Sequence, residues 1–401
     1  MKIVISAYGT TGDVHPVVLW AKEAFERKHD ILLVVSKGME FLPKKHNLPY
    51  KVYSGESAQK QFGSLGGGKS VTFTVLNRMR EHMLIQAKEL PQYCKTADLL
   101  VGSSLDPAAK SVAEKCNIPF IRMVLTPIFG GENRSSLFPY QSLPKWMNKI
   151  IWKTTIGLGE ILAKAQLNKA RKSLGLFAVK NYYDYTITSP SLICLDKRLA
   201  PPAPQWPKNI IYTGYPFSKE KEGLKEDLLE FINAGEKPIY LGFGSMGSAD
   251  PSKTTQMIID AIKTTKTRVI IQSGWANLGG ENLPDYIFEI GPVNHGELLA
   301  HTSGAIHHGG AGTTHTVAFA GIPQLIIPHI TDQFYYAQSV KQNELGPKYI
   351  PFRQLSVKKL SKGIMNLKSK KYADNAMEFK KEMEQNSESL VVDELERFVM
   401  K

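Results

Sequence analysis

The chain has 401 residues, 42% hydrophobic and 22% charged, which excludes a largely disordered or collagen-like protein and leaves room for two or three domains. Three cysteines, Cys94, Cys116 and Cys194, supply neither a disulfide framework nor zinc spacing, so a reducing, cytoplasmic setting is expected. The net charge of +13 lies wholly in residues 1–205, where 28 Lys and Arg face 15 acids, whereas residues 206–401 balance at 22 and 22; such a half faces nucleic acid, anionic lipid or an acidic substrate, or is simply a lysine-rich solvated surface.

Ile3–Ala7 opens the chain as a strand rather than a signal peptide, because Gly9-Thr10-Thr11-Gly12-Asp13 follows it at once. Ile31–Val35, Leu99–Gly102 and Phe120–Val124 continue the series. Pro16 suits the first turn of a helix beginning near Val17. Gly63–Gly68 reads as a glycine-rich loop. No apolar run approaches the 18 or so residues that span a bilayer. Pro201-Pro202-Ala203-Pro204 excludes helix and central strand and reads as a semi-rigid linker. Beyond it come Ile239–Gly242, Arg268–Gln272, Ile287–Ile290, Ala305–His307 and Gln324–Ile327. Continuous apolar strands separated by helical stretches indicate parallel sheets covered on both faces. Lys2–Tyr8 and Pro238–Phe243 each run into a Gly/Ser/Thr turn, about 235 residues apart. The fold class is therefore α/β, with two doubly wound, Rossmann-like domains in tandem, residues 1–205 and residues 206–385; the residues alone fix no place for the last helical segment, 386–401, for which packing back on the first domain is one option. In such sheets ligands bind beyond the carboxyl ends of the strands, here the cleft between the domains.

The strongest constellation is Ala305-Ile306-His307-His308-Gly309-Gly310-Ala311-Gly312-Thr313-Thr314-His315. A strand ends at the histidines, the small residues let backbone N–H groups approach a ligand, and a helix begins at the threonines. That is an anion site, to which His307 can add a hydrogen bond; a close-packed turn with a structural histidine is the plainer reading. Asp332 and Gln333 follow the strand Gln324–Ile327 and suit vicinal sugar hydroxyls, or simply start a helix.

Together these stretches resemble the GT-B glycosyltransferases of the UDP-glycosyltransferase superfamily, glycosyltransferase family 1, in its bacterial antibiotic and macrolide and its sterol glucosyltransferase branches. The resemblance rests on Gly9–Pro16, Gly242–Gly247, Ser273-Gly274-Trp275, Gly291–Leu298 and His307–Gln333, and most specifically on the last. It implies a nucleoside diphosphate sugar, UDP-glucose first, as co-substrate in the second half, with no separate cofactor and no metal; no Asp-x-Asp occurs. His307 and Gly309, Gly310, Ala311, Gly312 and Thr313 would hold the diphosphate, Gly244 and Ser245 would cap it, and Thr11 and Gly12 would face the donor. Val293 would contact the base, Trp275 would flank it or lie in the core, and Asp332 and Gln333 would hold the sugar. Asp13 would be the general base, against a plain helix-capping role; His15 is a second proposal. Asp106, in a region where the plant branch places an aspartate supporting a histidine base, is the other catalytic candidate. The reaction implied is inverting transfer of a hexose to a hydroxyl of a hydrophobic small-molecule, lipid or sterol acceptor. The alternatives are a nucleotide-sugar 2-epimerase and a non-catalytic nucleotide-sugar-binding protein.

Gly63-Ser64-Leu65-Gly66-Gly67-Gly68-Lys69-Ser70 also matches the phosphate-loop pattern, with Leu192–Asp196 as its apolar partner, but polar Gly55–Phe62 stands where a buried strand is needed, so an ATPase or kinase is disfavoured and the loop reads as a lid. Pro144–Gly175 holds seven basic residues against Glu160, with Trp146 and Trp152. It fits an anionic membrane surface, which would place the protein peripherally at the inner face; a helix whose apolar stripe packs in the core is the slightly favoured alternative. Nucleic acid is not expected as a partner, because no recognised binding module is present.

Overall fold

A computed structural model describes residues 1–57, 60, 71–135, 138–244, 250–272 and 283–400. Gly63–Ser70, Ser245 and Trp275 lie outside the described residues.

The chain forms two parallel sheets. The first has the order β3-β2-β1-β4-β5-β6-β7, built from β1 (Lys2–Ala7), β2 (Asp30–Val35), β3 (Tyr50–Val52), β4 (Leu99–Ser103), β5 (Phe120–Val124), β6 (Ser191–Ile193) and β7 (Ile210–Tyr212). The second runs β10-β9-β8-β11-β12, from β8 (Ile239–Gly242), β9 (Val269–Gln272), β10 (Ile287–Ile290), β11 (Gly304–His307) and β12 (Gln324–Ile326). Central strands are buried on both faces: Ile3, Val4 and Ile5 are fully covered, as are Ala305 and Ile306. That explains their continuous apolar sequences, since helices lie on both sides of each sheet.

Three strands went unread in the sequence: β3, β6 and β7. Each has three residues, too few for a periodic signal. Because β7 pairs with β6, Pro201–Pro204 lies within the chain of the first sheet, which extends beyond residue 205. The connection to the second sheet follows β7. Its Tyr215 and Phe217 share one apolar cluster with Trp206, Ala318, Tyr335 and Tyr336, so the halves are joined by a common core below the cleft.

Helix Thr11–Glu26 starts six residues before the expected Val17, with Thr10 as its N-cap, and encloses Pro16. The missing N–H at Pro16 leaves one turn of the ladder open. The last helix, Ser387–Val399, lies on this same helix: Arg27 reaches Asp393 at 2.6 Å and His29 reaches Glu396 at 2.8 Å. Val391, Val392 and Leu395 complete the first sheet's core.

The core-packed reading of the basic segment does not hold. Helix Lys145–Leu162 runs unbroken through Gly157 and Gly159, and its one buried residue is Asn148. Trp146, Ile150, Leu158 and Ile161 are exposed. Among the described residues no helix is long and apolar enough to cross a membrane.

Candidate active site

Strand order reverses between β1 and β4 in the first sheet and between β8 and β11 in the second. At such a point neighbouring connections leave to opposite faces, and a crevice opens beyond the strand ends. Asp13 and Asp106 lie on the two lips of the first crevice, after β1 and β4. Gly244 and His307–Gly310 lie on the lips of the second, after β8 and β11. Helices Thr11–Glu26 and Ala311–Ala320 contact one another.

Asp13 stands in the first turn of its helix and also caps it. Its Oδ2 accepts the Thr10 N–H at 2.8 Å and the Thr10 hydroxyl at 3.1 Å. The carboxylate lies against Gly9, where φ is +135° and an added Cβ would come within 2.4 Å of Oδ2; only glycine fits there. Burial pushes the Asp13 carboxyl up to about 6 against the Thr10 hydrogen bonds, and the charges of Asp332 and Asp106 add to the rise. His15, two residues on, points about 200° around the helix. Burial, with His46 and Lys45 nearby, lowers it to about 4.

Asp106 is a buried hub. Its oxygens accept from Ser6 Oγ (2.8 Å), Gln86 Nε2 (2.5 Å), Ser103 N–H (2.9 Å) and Ser103 Oγ (2.5 Å), with His82 Nε2 at 3.2 Å. These bonds tie β1, β4 and helix Val71–Glu89 together. Asp106 is thus bonded to His82, not to a histidine beside Asp13.

The glycine-rich turn after β11 forms as the composition requires. Gly310 is the N-cap of helix Ala311–Ala320 and no side chain caps it, so the first N–H groups point outward. Gly309 has φ +90°, and an added Cβ would lie 2.5 Å from Ile326 Cγ2. At Gly312 a Cβ would lie 2.8 Å from the Tyr215 hydroxyl, which places Tyr215 against the same turn.

The expected phosphate contact of His307 is corrected. His307 is fully buried; its Nε2 pairs with Gln324 Oε1 at 2.8 Å, and its Nδ1 accepts the Gly309 N–H at 3.1 Å. Both nitrogens are engaged, and burial holds the ring neutral at about 4. His308, half-buried, is the alternative at this turn. Its ring lies between Gly244 and Gly310, and its buried Nδ1 has no hydrogen-bond partner among the described residues. Burial and the neighbouring histidines keep it well below its usual value, so it is a neutral donor or acceptor at the crevice.

Asp332 opens helix Thr331–Gln342, and burial raises it to about 6. Gln333 is partly corrected: its Oε1 accepts the N–H groups of His329 (2.8 Å) and Ile330 (3.2 Å), which leaves only its amide nitrogen to donate to a ligand. Val293 follows β10 and packs on the second core. The loop around it is fixed from below by Tyr240, whose hydroxyl meets Gln272 Oε1 at 2.7 Å and His295 Nε2 at 2.9 Å, while Gln272 Nε2 donates to the Gly291 carbonyl at 3.3 Å. Thr11 and Gly12 are exposed at the cleft end of their helix. Among the described residues no three or more His, Cys, Asp or Glu are grouped to hold a metal ion.

Residues 256–397 match the family described as Erythromycin biosynthesis protein CIII-like, C-terminal domain. The chain is 31% identical to the vancomycin aglycone glucosyltransferase of Amycolatopsis orientalis, over 86% of this chain and 85% of that protein. It belongs to the GT-B UDP-glycosyltransferase superfamily. It is also 29% identical, over 96% of its length, to a sterol 3-beta-glucosyltransferase of Arabidopsis thaliana, of which it spans 66%. In fold it is similar to the glycosyltransferase VinC, solved in complex with dTDP, with a TM-score of 0.71, 15% identity and full coverage of both chains. Two facing parallel sheets with their crevices opposed are the GT-B arrangement.

Proposed function

We propose that this superfamily member transfers a hexose from a nucleoside diphosphate sugar, UDP-glucose first among the candidates, to a hydroxyl of a hydrophobic acceptor, with inversion and without a metal. One observation carries the reading: Asp13, a carboxylate that burial holds at about 6, is close enough to Asp332 to feel its charge, and it neighbours Tyr215, whose hydroxyl lies against the turn at Gly312. The Oδ1 of Asp13 takes the acceptor hydroxyl proton as its oxygen attacks the anomeric carbon, and the diphosphate departs from the opposite face. The negative charge that develops on the diphosphate meets the N–H groups of Ala311, Gly312 and Thr313 and the His308 ring. Asp332 accepts from sugar hydroxyls and the Gln333 amide donates to them. Asp106 acts from a distance, fixing the strand ends that carry the acceptor side.

The relatives named for vancomycin aglycone and sterol support a fused-ring or otherwise bulky hydroxylated acceptor. Thermal shift with UDP, dTDP and their glucose conjugates tests the donor half, since ligands of the native state raise the melting point; no shift with any of them would end the reading. Product analysis without an acceptor tests the 2-epimerase alternative, which predicts an isomerised nucleotide sugar.

The two histidines separate cleanly. His308→Ala weakens nucleoside diphosphate binding about tenfold or more, by loss of one hydrogen bond to a charged group. His307→Ala strands Gln324 and the Gly309 N–H and lowers stability by about 2–3 kcal/mol. Calorimetric titration and urea unfolding of both variants read the two effects, and equal losses of affinity without unfolding would reject the assignment.

A further inference from the structure

One face of the first domain is apolar, basic and uncovered. On helix Lys145–Leu162, Trp146, Ile150, Gly157 and Ile161 fall at i, i+4, i+11 and i+15, a single stripe at about 100° per residue. Trp146 is 62% exposed, Ile150 55% and Ile161 74%. A Cβ added at Gly157 would meet nothing within 4 Å, so no part of the described chain lies over the stripe. Lys145, Lys149 and Lys153 run along its border, all exposed. Phe177, in the turn after the neighbouring helix Lys164–Ser173, is 94% exposed, with exposed Lys172 and Lys180 near it in the chain.

The charge on this region is one-sided. Residues 144–180 hold eight Lys and Arg and one acid, Glu160. Glu160 is occupied by the Tyr183 N–H at 2.8 Å and by Lys164 at 3.6 Å, and Glu132 offsets only part of Lys145 and Lys149. The opposite side of the helix looks into the protein: Trp152 lies on Gly130, and Asn148 donates to the Glu132 carbonyl at 3.3 Å. That inner segment leaves the carboxyl end of β5, the edge that carries Asp13, and Arg134 from it reaches Ser339 of the second domain at 2.6 Å. The exposed stripe therefore borders the acceptor side of the cleft.

We propose that this face seats the protein on an anionic lipid bilayer, with Trp146, Ile150 and Ile161 among the acyl-chain ends and the lysines at the headgroups. Aromatic and aliphatic side chains with flanking cations, on a helix too basic to insert, match an interface rather than a span. A bilayer fits better than a second copy of the chain, because two such faces would bring like charges together. The docking rests on the reading of a hydrophobic acceptor only for its purpose: an amphiphilic acceptor could enter the cleft from the lipid.

The test uses the full chain and vesicles without substrate. Flotation with phosphatidylglycerol-containing vesicles is expected to carry the protein, pure phosphatidylcholine to carry it at least tenfold less, and added salt to release it. The Trp146→Ser/Ile150→Ser/Ile161→Ser variant is expected to lose at least tenfold in vesicle partitioning. Lys149→Glu/Lys153→Glu should lose the preference for anionic lipid. Both should keep the thermal shift with nucleoside diphosphate and the turnover of a water-soluble acceptor. Equal binding of wild type and triple variant, no binding to either vesicle, or a wild-type dimer that the triple variant turns into a monomer each overturns the docking. A missing nucleotide shift with vesicle binding intact would instead overturn the proposed function alone.

Discussion

Asp13→Asn is expected to lower kcat/KM by about 10²–10⁴, the range for loss of a general base, while the affinity for nucleoside diphosphate stays within about twofold. The same variant should be more stable at pH 7. Asparagine keeps an oxygen for the Thr10 N–H but has no charge to bury. The folded Asp13 carboxyl stands at about 6 against an ordinary 3.8. A raised folded value favours the folded state below pH 4, and that advantage fades as pH climbs through 6. With partial exposure discounted, the ionised group costs about 1–2 kcal/mol at neutral pH. Activity moves the other way, with an acidic limb near pH 6 and a plateau above it. Because Asp332 helps to raise Asp13, Asp332→Asn should shift that limb to lower pH in whatever turnover remains. Urea unfolding and pH–rate profiles read both. An Asp13→Asn enzyme with wild-type turnover, or an acidic limb that does not move in the Asp332 variant, would remove Asp13 from the chemistry.

The second large effect is at Gly309. Alanine there must adopt φ near +90° and push its methyl to 2.5 Å from Ile326 and 3.1 Å from the Gln333 carbonyl. Ile326 lies in a buried strand, so neither neighbour yields easily. A loss of about 2–4 kcal/mol in stability is expected, together with loss of nucleoside diphosphate binding, because the N–H groups at Ala311–Thr313 take their direction from this turn. Gly157→Ala is the control: with open space around it, it should stabilise its helix by about 0.5–1 kcal/mol. A Gly309→Ala chain with native stability and unchanged nucleotide affinity would contradict the assigned anion site.

Much of this was legible in the residues. Buried parallel strands reveal themselves as unbroken apolar runs, and the glycines after β11 together with the threonines define a strand–turn–helix that leaves N–H groups free. What stayed hidden depended on direction or on distance along the chain. Successive residues at a strand end face opposite ways, so sequence could not say that His307 turns inward to Gln324 while His308 reaches the crevice. Gln333 lies three residues after Ile330, the spacing of a side chain that caps its own helix, and that signal was available. The Asp106 hub draws partners from Ser6 and Gln86, 100 and 20 residues away, and no local pattern announces such a meeting. For helix Lys145–Leu162 the periodicity was clear but its inward side was not, because two tryptophans lie on different faces of one helix.

The chain passes between the two domains twice, once after β7 and again before the last helix, which returns to lie on Thr11–Glu26. A body held by one tether can swing in any direction, whereas one held at two separated points can only turn about the line through them. Any change in the width of the cleft is thereby confined to rotation about a single axis.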